Sequence, residues 1–180
     1  VENTETLLSL AEICATFAGF AALVSVLRRG ADEVAAAVHD LFRLRLVISS
    51  SVAGVAAALI PVGLAGYGIE AGLAWRLAAL AFLIFDNGII FSFVSAYKPV
   101  RGAFDPDRLA VSVVALLEVT EQLSLIAVVL GLSFGNAPAL YVTALIANIC
   151  QAGFIFVRFV GSAFQHENHL VDGVVHELAD

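Results

Sequence analysis

Five blocks of this chain are almost purely apolar: residues 7–27, 46–66, 77–97, 110–132 and 138–157. Each is about 20 residues long, and a helix of that length, at about 1.5 Å per residue, covers the roughly 30 Å of a bilayer's hydrocarbon. Lipid offers the backbone no hydrogen bonds, so all five blocks must be helical. Five long helices of a soluble protein would leave almost nothing in this chain to cover them. The pattern therefore predicts an all-α integral membrane protein, a bundle of five transmembrane helices filling residues 1–164.

The segments between the blocks carry boundary signals. "RRGADEVAAAVHDLFRLR" reads as a short polar or interfacial helix between the first two spans, and "GYGIEAGLAWR" as a glycine turn with an interfacial Trp75. In "KPVRGAFDPDR", Asp105 is placed as an N-cap with Pro106 at the first helical position. Pro61 inside the second span predicts a kink. Residues 165–180 form a short acidic tail with His166, His169 and His176, read as a solvated helix.

Charge then sets the orientation. Eight of the nine basic residues (Arg28, Arg29, Arg43, Arg45, Lys98, Arg101, Arg108 and Arg158) flank the first and third connections or the tail, and only Arg76 lies on the other side. The positive-inside rule puts the N-terminus outside and the C-terminus in the cytoplasm. The acidic start "VENTET" is not followed by a small-residue cleavage site, so the first block is read as a retained span rather than a signal peptide. The absence of methionine implies that Val1 is not the initiator. The preference for arginine over lysine, with abundant alanine, glycine and valine, points to a GC-rich bacterial gene and so to a bacterial inner membrane.

Composition sharpens the picture. The chain is 61% hydrophobic and 14% charged, where soluble domains are about 45–50% apolar and about a quarter charged. A net charge of -7 argues against nucleic acid as a partner. Cys14 and Cys150 fall inside apolar blocks without metal-ligand spacing and are read as free buried thiols. The only lysine is Lys98, no histidine lies in a span, no base is suggestively spaced beside the serines of the spans, and HExxH and phosphate-binding glycine loops are absent. A retinal Schiff base, bis-histidine haem and hydrolase chemistry are thereby disfavoured. The expectation is a non-enzyme without a cofactor.

The polar residues inside the spans carry the functional signal, because an ionisable group at mid-membrane costs at least about 2.5–3.5 kcal/mol. Glu118, Glu121 and Gln122 lie near the middle of the fourth span, on one stripe with Val111, Val114 and Leu125, while Thr120 and Ser124 fall nearly opposite. Asp86 and Asn87 are central in the third span, and Asn148 and Gln151 in the fifth. Glu12 lies nearer the outer end of the first span. Small residues such as Ala15, Gly19, Gly54 and Ala58 allow close helix approach.

Three carboxylates at one depth with no basic residue among them demand neutralisation. Protons, a cation, or Arg45 and Arg158 reaching in from the cytoplasmic side would each provide it. Carboxylate and carboxamide oxygens suit protons or hard cations, with Glu118, Glu121 and Asp86 as possible ligands. The leading expectation is a homo-oligomeric cation channel, or a proton- or cation-coupled transporter. Its pathway would use Glu118, Glu121, Asp86, Gln122, Asn148, Gln151 and Glu12. The alternative is a non-transporting scaffold or partner subunit, with a structural polar network and cytoplasmic segments that bind another protein.

Overall fold

The computed structural model describes residues 3–27, 34–98, 107–132 and 135–177, with side chains for 3–26, 41–98, 107–132 and 135–161. Five helices follow one another: α1 (Thr4–Leu27), α2 (Val34–Gly66), α3 (Ala71–Tyr97), α4 (Arg108–Val129) and α5 (Ala137–Glu177). No strand occurs among the described residues. Every helix contains a stretch long and apolar enough to cross a membrane: Thr4–Val26, Leu41–Gly66, Ala71–Tyr97, Arg108–Val129 and Ala137–Gly161. Large apolar side chains cover the outside, among them Phe91, Leu116 and Leu123. A surface of that kind is compatible with lipid and hostile to water.

The boundaries differ from the sequence expectation in four places, each for a local reason. The part of the first connection from Val34 onward belongs to α2, because Ala, Val and Leu between the charges sustain helix. The part of the tail up to Glu177 is continuous with α5, although its histidine side chains lie outside the described residues. α3 begins at Ala71, capped by Glu70, whose carboxylate accepts the Gly72 amide at 3.0 Å. Trp75 therefore sits inside the helix, 3% exposed, with its ring 5.3 Å from that of Tyr141. It packs inside the bundle near the end of the span rather than facing outward. α4 is capped by Asp107, which accepts from the amides of Leu109 and Ala110. Asp105 and Pro106 lie outside the described residues.

α5 packs against all four other helices, and α2 against α1, α3 and α5. Small residues make this possible. At Gly54 a Cβ would stand 2.6 Å from Cys14 Sγ and 3.1 Å from Asn148 Oδ1, so α1, α2 and α5 converge where only hydrogen fits. The main core is alanine-rich, with Ala53, Ala57, Ala78, Ala79 and Ala144 around Trp75, Phe82 and Tyr141.

Pro61 stays inside α2 and is buried. It has no N–H to give the carbonyl four residues back, that of Ala57. The Tyr141 hydroxyl donates to that carbonyl instead, at 2.7 Å. A backbone acceptor freed within the span is thus satisfied by the neighbouring helix, as a lipid environment requires.

At the other end of α4, Leu132 donates to the Ala127 carbonyl and Gly131 takes a φ of 74°. Arg76 lies across this terminus, where a Cβ on residue 131 would stand 2.7 Å from the guanidinium. A cation there complements the negative end of the α4 dipole.

Candidate cation and proton site

The buried stripes of three helices each carry acid or amide at one level. On α3 the stripe runs through Trp75, Ala78, Ala79 and Phe82 and reaches Asp86. These are the offsets of one helical face. On α4 it is Glu121, Ser124, Leu125 and Val128. On α5 it includes Tyr141, Ala144, Leu145, Asn148 and Ala152. Ser124 is thus in the core and Val111 faces outward, a rotation of the α4 stripe from the expected one. Glu121, rather than the Glu118–Gln122 pair, lies on the side that packs inward with Leu125 and Val128.

Asp86, Glu118 and Glu121 converge, each offering a carboxylate oxygen within 4.8 Å of the other two. Oxygens bound to one calcium-sized ion at about 2.4 Å lie at most about 4.8 Å apart, so the three span the width that a single hard cation bridges. A smaller ion at about 2.1 Å would need them to draw in.

Amides organise two of the three acids. The Gln122 Nε2 group donates to Asp86 Oδ2 at 2.5 Å and to Glu118 Oε1 at 2.8 Å. Gln151 Nε2 donates to Glu118 Oε2 at 3.3 Å, tying α5 to α4. Asn87 donates to Gln122 Oε1 at 3.2 Å and to the Leu83 carbonyl at 2.8 Å. Asn148 donates to Ser50 at 2.8 Å, which joins α5 to α2.

Glu121 stands apart. It is 0% exposed, and among the described residues neither of its oxygens accepts a hydrogen bond of normal geometry, the Asn148 amide being the nearby side-chain donor. Gln151 Oε1 and Asn148 Oδ1 are also buried and without a donor. The level is therefore rich in acceptors and short of donors. Amide donors orient carboxylates but do not cancel their charge.

The two arginines proposed from the sequence end elsewhere. Arg45 donates to Ser92 at 3.0 Å. Arg158 of α5 donates to Asp107 at the start of α4. Glu12 is exposed on α1, where the Thr16 hydroxyl donates to its backbone carbonyl, and it is not part of the convergent group. The structure thus brings together Asp86, Glu118, Glu121, Gln122 and Gln151, and seats Asn148 on the adjoining α5 stripe.

Asn87, central in the third span by sequence, and Ser50, not singled out there, also take part. Asn87 points well away from Asp86 on an ideal helix, yet it reaches Gln122 because α4 lies on that side of α3. Ser50 looked like a packing residue. The signal for Asn87 was its place beside a central acid, and Ser50 had none beyond its hydroxyl. No family model matches the chain, and no curated protein or solved structure matches it either. The chemistry of the site is what remains to read.

Proposed function

We propose that this protein moves protons or hard cations across a bacterial inner membrane, as a cation-conducting channel or a proton- or cation-coupled transporter. The observation that supports it is Glu121, a fully buried carboxylate that accepts no hydrogen bond of normal geometry among the described residues, set against two other carboxylates. An ionised group left in that state costs several kcal/mol or more. A proton on Glu121, or a cation held among the three acids, removes the cost. Both are species that a transporter moves.

In this reading Glu118, Glu121 and Asp86 hold the moving charge. Gln122, Asn148 and Gln151 line and orient them, and Glu12 stands toward the outer mouth. The arginine-rich end faces the cytoplasm and the N-terminus lies outside. Exposed Ala15, Gly19 and Ala22 on α1 offer a close-packing face for a homo-oligomer. Cross-linking in detergent that yields only monomer would count against that assembly.

The donor network favours one other reading. Gln122 and Gln151 hold Asp86 and Glu118 as a structural polar network would, consistent with a non-transporting scaffold or partner subunit. Flux measured in proteoliposomes separates the two. Glu118→Gln and Glu121→Gln are expected to abolish proton or cation flux while leaving the assembly intact. Unchanged flux in both variants would remove these residues from any pathway.

A further inference from the structure

A second site lies away from the acids, between α2 and α3 at the arginine-rich end. A cleft of about 280 Å³ opens there, walled by Phe42, Leu46, Phe85, Ile89 and Phe93, with Arg45 set into its wall. Its polar groups are few and placed together. Arg45 Nη2 donates across the cleft to Ser92 at 3.0 Å, and Ser49 adds a second hydroxyl to the lining. A guanidinium carries five N–H donors, of which Ser92 takes one. Arg45 is exposed, and its contact with Ser92 turns it into the cleft rather than straight out along the membrane normal.

Depth decides what such a cleft can hold. Arg45 is four residues into the span that starts at Leu41, about 6 Å along the helix. Ser92 is five residues from the end of the α3 span at Tyr97, about 7.5 Å in. Phe85 is twelve residues in, about 18 Å, near mid-membrane. Arg45 and Ser92 thus sit at the level of lipid phosphate and glycerol, Ser49 lies one turn deeper, and the apolar walls continue inward along the path of an acyl chain. A soluble anion would use the first part and leave the second in contact with nothing. Zwitterionic lipid would bring its own cation to the arginine. From this charge complementarity and depth, we infer that the α2–α3 cleft binds one anionic phospholipid, its phosphate held by Arg45 and Ser92 and its chain lying past Ser49 against Phe85 and Phe93.

Two variants test this by different routes. Arg45→Gln removes the cation. Gly88→Leu fills the cleft from its α3 wall, at a position where a Cβ meets no atom within 4 Å. The purified protein, reconstituted in nanodiscs of mixed phosphatidylcholine and phosphatidylglycerol and then released into detergent, is analysed by native mass spectrometry. Wild type is expected to keep one phosphatidylglycerol in preference to phosphatidylcholine. Each variant should lose it by about tenfold or more, the worth of a charge-assisted hydrogen bond. Arg158→Gln, at the same end but outside the cleft, should keep it. Equal retention by wild type and both variants would overturn the proposal. So would retention of phosphatidylcholine in equal amount, displacement of the lipid by glycerol phosphate alone, or a dimer whose cross-links from Phe42 and Phe93 place a second copy in the cleft. The readout is independent of ion flux, so it stands or falls apart from the transport reading.

Discussion

Glu121 is where the chemistry concentrates. Its neighbours Asp86 and Glu118 receive amide protons from Gln122 and Gln151, and among the described residues it receives none in normal geometry. Glu121→Gln keeps the shape and supplies an N–H₂ group facing two acceptor-rich carboxylates. Thermal unfolding in detergent is expected to shift upward by about 2–4 °C, corresponding to about 1 kcal/mol for a chain of this size. A fall in Tm with loss of assembly would instead mark Glu121 as a structural element. At the arginine-rich end, Asp107 holds the first amides of α4 and the Arg158 guanidinium of α5. Its carboxyl lies below the usual 3.8, chiefly through the Ala110 amide; desolvation opposes this, and the Arg158 guanidinium and the Leu109 amide add to the lowering. A lowered folded value means that this cap contributes fully above the ordinary carboxylate range and is lost as pH falls through the folded value. Exchange of the Leu109 and Ala110 amides, corrected for intrinsic rates, should therefore accelerate in acid. Asp107→Asn should flatten that dependence.

At the level of elements, small residues and polar caps set how the helices meet. Gly54→Ala drives a methyl group into Cys14 Sγ, and overpacking of this kind costs about 1–3 kcal/mol. Cys14→Ala should recover part of the loss, because it removes the nearest atom while Asn148 Oδ1 still stands 3.1 Å away. Thermal melts of the two single variants and the double variant measure that coupling. The helices themselves were legible in the chain because lipid enforces a length and an apolar content that few other structures share. Their ends were less so. Arg76 suggested a boundary that the Glu70 cap places six residues earlier, since one arginine does not stop a helix. Trp75 reads as interfacial because tryptophan favours that region, whereas its burial against the Tyr141 ring and the alanines beside it was not legible. The partnership of Pro61 with Tyr141 was illegible, because it depends on which helix stands opposite the freed carbonyl.

For the whole molecule, the level of Asp86, Glu118 and Glu121 was readable from position along each span, since equal depth follows from counting. Their approach to one another was not, because it needs the rotation of α3 and α4 about their own axes. That rotation follows from the buried stripes, and it puts Glu121 rather than Gln122 at the centre of the α4 contact. The destinations of Arg45 and Arg158 were equally hidden, being set by Ser92 and Asp107 on neighbouring helices. The outcome is an acidic centre inside the bundle, with the basic groups of the described residues other than Arg76 toward one end. Such an arrangement has a direct functional test. Purified protein in liposomes, with an imposed pH or cation gradient and a dye that reports the interior, should dissipate the gradient, while Glu121→Gln and Glu118→Gln, folded and assembled, should leave it standing. Gradients that persist with wild type, or that collapse equally with wild type and both variants, would contradict the account.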